Sequence, residues 1–128
     1  MLRISIISAI LTFAILFNNG LAQNHSIDSL NQALQKQESD LNRYKTLTEL
    51  AIAYSDSNYE KSLNYWKSAL NLANRMGKRE LVANAYHQIG FSYMKMGEFR
   101  LSLENLENAG TIYKYLDSVR SVSYTHLR

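Results

Sequence analysis

Ile89-Gly90-Phe91-Ser92-Tyr93, followed by Glu98-Phe99-Arg100-Leu101-Ser102-Leu103, restates an earlier stretch of the same chain: Leu50-Ala51-Ile52-Ala53-Tyr54, followed by Asn58-Tyr59-Glu60-Lys61-Ser62-Leu63. Tyr59 and Phe99, Ser62 and Ser102, Leu63 and Leu103, and Ala69 and Ala109 each stand 40 residues apart, whereas Ala51 to Gly90 and Tyr54 to Tyr93 are 39 apart. One residue is missing from the first turn. Self-similarity at such a period marks a stacked-repeat protein, in which a unit buries its apolar face only against a neighbour. The repetition names an architecture and a mode of action, binding by a concave helical surface, without naming the partner.

Around these copies the chain reads as helix throughout. It has 128 residues, no proline and only five glycines, enough for one domain. Ile27, Leu30, Ala33 and Leu34 recur at helical spacing on a short segment ending near Gln37, a candidate cap for the stack. Asp40 is expected to N-cap a second helix with Tyr44, Leu47, Leu50, Ala51 and Tyr54 on its buried side. The cluster Ser55 to Asn58 closes that helix, and a third carries Tyr59, Leu63, Trp66, Ala69, Leu70 and Ala73 up to Gly77. The fourth places Leu81, Ala85, Tyr86, Ile89, Gly90 and Tyr93 on its apolar side before Gly97. Phe99, Leu103, Leu106, Ala109, Ile112, Tyr113 and Leu116 form the stripe of the fifth, with Asp117-Ser118 expected to open another turn. The fold class expected is all-α, tandem helix-turn-helix repeats forming a short right-handed α-solenoid, with units at 40–78 and 79–118 inside a repeat region of 40–120.

Both ends are expected to lie outside that fold. A positive start at Arg3, an apolar run from Ile4 to Phe17 and the small-residue exit Gly20-Leu21-Ala22 describe a signal peptide over 1–22, cut after Ala22. Fourteen residues interrupted by Ser5, Ser8 and Thr12 fall short of the roughly 20 needed to span a bilayer. The expected location is exported and periplasmic, with residues 23–39 a polar lead-in and capping helix. No cysteine is present, so lipid attachment at the exit is excluded. Residues 121–128 resemble, in one reading frame, the translated transposase end sequence used in preparing sequencing libraries. They are expected to be foreign to the fold, with the natural chain continuing past Arg120. The net charge of +3 falls to +1 once Arg3 and Arg128 are set aside, and charges of both signs are interspersed. Such a surface has no electrostatic footprint for phosphate, which argues against nucleic acid as the partner of this region.

The spacing of large and small residues resembles the tetratricopeptide repeat (TPR). In the second unit Tyr86, Ile89, Gly90, Tyr93, Gly97, Phe99 and Ala109 stand at that motif's places, with Ser102 in place of its usual alanine. In the first unit Leu50, Ala51, Tyr54, Tyr59, Ser62, Trp66 and Ala69 take the same roles, without the turn glycine. Small residues let helices approach closely and aromatics fill the space that opens, so all of these positions are read as core. The unit length near 40 and the exported start also resemble Bacteroidetes-type periplasmic TPR arrays that precede a membrane-spanning helix and a cytoplasmic histidine kinase or LuxR-type DNA-binding domain. That resemblance implies the sensory region of a signal-transduction protein; a free-standing exported scaffold for envelope proteins is the alternative.

No residue pattern points to catalysis or a cofactor: there is no metal-ligating motif, phosphate loop or nucleophile elbow, and His25, His87 and His126 are scattered. The segment is expected not to be an enzyme and to bind no cofactor or metal. Binding is expected instead on the inner helices, where Lys45, Thr48, Glu49 and Ile52, then Asn84, His87, Gln88, Phe91 and Lys95, face away from the packed stripe. Phe91 is the expected anchor for a protein or peptide. Thr48 and Ile52 stand where chaperone-binding members carry Lys and Asn, so a carboxylate clamp is not expected. A membrane enters only through a downstream segment. Leu106, Ile112 and Leu116 are expected to be partly bare on the last helix, so that the chain self-associates.

Overall fold

The computed structural model describes residues 26–36 and 39–126, so the leader with its cut after Ala22, His25, and the final two residues lie outside the described residues. The chain divides into two units between Lys36 and Gln37. In the first, helix α1 covers residues 26–36, with Leu30, Ala33 and Leu34 half-buried on one side and Ser29 Oγ donating to Ser26 O at 2.8 Å. The second unit holds α2 (Asp40–Tyr54), α3 (Tyr59–Arg75), α4 (Arg79–Lys95) and α5 (Phe99–His126). Each of these packs on the next in sequence, and the described residues contain no strand. None of the described helices is long and apolar enough to cross a membrane.

The turns show how the sequence sets the helix ends. Met76-Gly77-Lys78 and Met96-Gly97-Glu98 are the same device 20 residues apart: Gly77 and Gly97 take φ of 66° and 80°, where a side chain is strained. Lys78 N–H then reaches Ala73 O at 3.2 Å and Glu98 N–H reaches Tyr93 O at 2.9 Å, the six-to-one bond that satisfies a carbonyl at a helix end. The turn after α2 has no glycine and no positive φ. Asn58 caps α3 there, its side chain accepting from Lys61 N–H at 2.9 Å. The residue missing from the first unit is taken from the helix, since α2 stops at Tyr54 whereas α4 runs two residues past Tyr93.

Two expected boundaries are corrected. Ser39, not Asp40, is the N-cap of α2; Asp40 is its first helical residue, where a carboxylate favours the helix dipole, and it pairs with Arg75 at 3.0 Å. Asp117-Ser118 opens no turn, and α5 runs on for 28 residues to His126. Neither glycine nor proline follows Gly110, and Ser118 and Ser121 return their hydroxyls to the carbonyls of Tyr115 and Ser118, at 2.7 and 2.8 Å, inside the helix.

The core is built on close approaches. Leu50, Ala51, Ala69, Ala73, Ala83 and Ala85 are wholly buried, and Ser62 Oγ donates to Ala51 O at 2.7 Å where α2 meets α3. A Cβ on Gly90 would lie 2.8 Å from Leu106 Cγ and 3.1 Å from Ser102 O, so glycine is what lets α4 and α5 touch. Tyr44 ties α2 to α4, donating to Leu81 O at 3.2 Å beside Asn84. Leu72, Val82 and Ala83 are also buried, on flanks that the expected stripes left out.

Tyr59 and Phe99, assigned to the core by their motif places, are exposed. Both sit at the first helical position after a turn, beyond the end of the preceding helix. The stripe expected on α5 fares worst: Ala109 alone is buried, Leu106, Ile112 and Leu116 are half-buried, and Leu103 and Tyr113 face solvent. The equivalent α3 positions Leu63 and Ala73 are buried; α3 packs against both α2 and α4, whereas among the described residues α5 packs against α4 alone.

Candidate functional site

Where α2 and α4 end, their last turns and the start of α3 enclose a hollow of 160 Å³, lined by Ile52, Ser55, Tyr59, Ser62, Trp66, Gln88, Phe91, Ser92 and Lys95. Ile52 is 61% exposed and Phe91 44%, although both are apolar. Neither belongs to the packed side of its helix, so the helices present them instead of burying them. Lys95 closes one side. Its Nζ lies 5.5 Å from the centroid of Tyr59 and 5.6 Å from that of Phe91, within cation–π range of both. The same Nζ donates to Asp56 Oδ1 at 2.9 Å and to Ser55 O at 3.4 Å, locking the inter-helix turn against α4. The buried floor is Trp66 with Ser62 and Ser92, whose hydroxyls are turned to the carbonyls of Ala51 and Gln88; Ile52, Tyr59 and Phe91 stand at the mouth, and the rim carries one cation already paired with a carboxylate. Such a hollow accepts one apolar side chain more readily than a charged group.

Of the nine positions expected to face a partner, Ile52, Gln88, Phe91 and Lys95 converge on this hollow, and Lys45, Thr48, Glu49, Asn84 and His87 do not line it. Thr48 turns its hydroxyl to Lys45 O at 2.7 Å, and half-buried Asn84 is engaged with Tyr44. Burial pushes the Tyr44 phenol above its ordinary pKa, against the opposing hydrogen bond from Asn84. Burial likewise raises Tyr65, whose ring stacks on Tyr54 at 5.8 Å between centroids. Tyr59, Ser62 and Trp66 are the lining residues that sequence reasoning gave entirely to the core. The available signal was position: Tyr59 stands beside the turn, and Ser62 and Trp66 follow it by one and two turns on the same side of α3.

Two further hollows lie around Gly77. One, of 590 Å³, is lined by Asn74, Gly77, Arg79, Val82, Thr111, Ile112 and Tyr115, with the Arg79 guanidinium 4.5 Å over the Tyr115 ring. The other, of 420 Å³, lies between Leu41, Gly77, Leu81 and Leu116 near the ion pair of Arg120 with Glu80. Among the described residues no three His, Cys, Asp or Glu side chains are placed to hold a metal ion.

Antiparallel helix pairs joined by tight turns, packed through Gly90, Ala51 and Ser62 and repeated in tandem, make this chain an all-α tetratricopeptide-repeat protein of the Bacteroidetes type. It belongs to the family described as the SusR N-terminal TPR domain, whose model matches residues 21–127. No curated protein matches the chain. Tetratricopeptide domains mediate protein–protein interaction, and this is a protein-binding module of that kind.

Proposed function

We propose that this module is the periplasmic sensory region of a signal-transduction protein, a histidine kinase or LuxR-type regulator, and that it takes a protein or peptide in the groove centred on Phe91. The observation that carries the binding site is the pair of exposed apolar side chains, Ile52 and Phe91, set over one aromatic hollow on neighbouring inner helices. An apolar residue of an extended or helical peptide enters between them, and Lys95, held by Asp56, fixes the rim. The segment itself is non-catalytic and transmits occupancy to an output domain elsewhere in the polypeptide. The exported location is supported by the leader pattern of Arg3 to Ala22.

Peptides selected from a displayed random library against the wild-type chain test the groove. Phe91→Ala is expected to weaken their binding by about tenfold or more, since truncating a central aromatic anchor costs about 1–2 kcal/mol or more. Equal binding to both proteins refutes the site. An alkaline phosphatase fusion after residue 120 tests export; an inactive, full-length fusion would refute the periplasmic assignment.

A further inference from the structure

The hollow beneath Ile52 and Phe91 is built by α2, α3, α4 and the turn after α2, and no residue of α5 lines it. Its volume of 160 Å³ is close to that of a protein cavity that holds one benzene molecule, about 150 Å³. One Leu, Ile, Met or Phe side chain fills such a space, whereas the indole of Trp exceeds it. Ser62 and Ser92 at the floor already give their hydroxyl protons to Ala51 O and Gln88 O, so neither is free to donate to a polar group.

Charge lies to one side of the hollow. Helices α2 and α4 run in the same direction, since Tyr44 Oη meets Leu81 O near their starts and Lys95 Nζ meets Ser55 O near their ends. Toward the helix ends, Lys95 and Asp56 neutralise each other at 2.9 Å. Toward the helix starts, the residues one turn before Ile52 and Phe91 are Glu49 and Gln88. Glu49 is exposed, and its carboxylate takes part in no ion pair among the described residues, not even with Lys45 one turn further on. Between Glu80 and Lys95, α4 carries no Asp, Glu, Lys or Arg. The uncompensated charge nearest the hollow along the inner helices is therefore one carboxylate.

We infer that the groove takes an extended peptide carrying a Leu, Ile, Met or Phe anchor with a Lys or Arg two residues away from it. This assignment rests on the groove centred on Phe91 and adds the chemistry of what enters it. Beyond the hollow the inner positions are Lys45, Thr48, Glu49, Asn84 and His87, which offer no further apolar contact for the stripe of an amphipathic helix. In an extended chain, alternate side chains point the same way, about 6.7 Å apart. Ile52 and Glu49, three apart on one helix, have Cβ atoms about 5–6 Å apart. An anchor seated between Ile52 and Phe91 thus sets the second side chain over Glu49, where a cation is favoured.

Peptides selected from a displayed random library on the full wild-type chain are expected to share this apolar and basic pair. Fluorescence anisotropy with one such peptide, at low salt where an exposed charge is least screened, reads the contribution of Glu49. Glu49→Lys is expected to weaken binding about fivefold, and a peptide with Glu in place of its basic residue is expected to prefer Glu49→Lys over the wild type. A Trp anchor is expected to lose about tenfold on the wild type. Phe91→Ala separates the groove from its specificity. If that variant binds as the wild type does, the groove itself fails; if it weakens binding while Glu49→Lys and the exchanged peptide change nothing, the groove stands and the basic partner is overturned. Selected peptides lacking a basic residue at that spacing overturn it as well, and a Trp anchor bound equally tightly overturns the size limit.

Discussion

Replacing glycine by alanine at two positions of the last helix pair is expected to give opposite results. At Gly110 the new methyl meets nothing within 4 Å, so the change acts through helix preference alone and stabilises by about 1 kcal/mol. At Gly90 the same preference is opposed by contact: the methyl would sit 2.8 Å from Leu106 Cγ and 3.1 Å from Ser102 O. Leu106 Cγ is a branch point close to its backbone and Ser102 O belongs to the α5 main chain, so relief requires α5 to move. Overpacking of this kind costs about 1–3 kcal/mol, leaving Gly90→Ala destabilised by about 1 kcal/mol after the helical gain. For a domain of this size 1 kcal/mol corresponds to a Tm change of about 4–8 °C, so the two variants are expected to differ by about 8–16 °C. Far-ultraviolet circular dichroism melts read this, recorded where the chain is monomeric, with urea titrations showing unchanged m-values. If Gly90→Ala melts as high as Gly110→Ala, α4 and α5 are not in contact at Gly90 and the packing described here is wrong.

Gly97→Ala, at φ 80°, is expected to lose about 1–2 kcal/mol from left-handed strain, read as a lower urea midpoint. Ser62→Ala removes the buried bond to Ala51 O and is expected to cost about 1 kcal/mol in the same assay. The Tyr44 phenol is raised in the folded state by burial, so folding keeps its proton while the unfolded chain loses it. Stability is thus unaffected below the ordinary tyrosine range and falls as pH rises through it, and Tyr44→Phe is expected to flatten that alkaline loss between pH 8 and about 10.5. Asp40→Asn breaks an exposed ion pair with Arg75 and is expected to shift stability by less than about 0.5 kcal/mol.

What could be read from the residues was whatever depends on a chain's likeness to itself. The copy of Leu50 to Leu63 at Ile89 to Leu103 gave the helix pairs and the close approach at Gly90, because a repeat reports its own packing twice. Burial was less legible, since it depends on what lies across the interface. Leu63 and Leu103 are identical in type and place, and one is buried while the other is bare, because α3 packs on two helices and α5, among the described residues, on one. The groove was legible in part for a related reason. Periodicity finds residues such as Ile52 and Phe91 that avoid the core of their own helix, yet it cannot tell which of nine such residues will meet at one hollow. That was settled by where α2 and α4 stop, and by Tyr59 standing just past a turn.

The two Met-Gly turns have a consequence for how such an array grows. They reverse the chain with the same bonds and the same left-handed glycine after α3 and after α4, although one joins neighbouring units and the other joins helices within a unit. Across these two turns the backbone counts in 20-residue strokes and does not distinguish the two kinds of junction; the turn after α2, built on Asn58 without a glycine, is the exception. At these two turns parity, which decides whether a helix lines the inner curve or the outer one, is written in side chains such as Gly90 and Trp66. A single inserted stroke would meet no resistance at the turns and would invert the address of every helix after it. Selection for an intact groove therefore acts on lengthening by two strokes at a time.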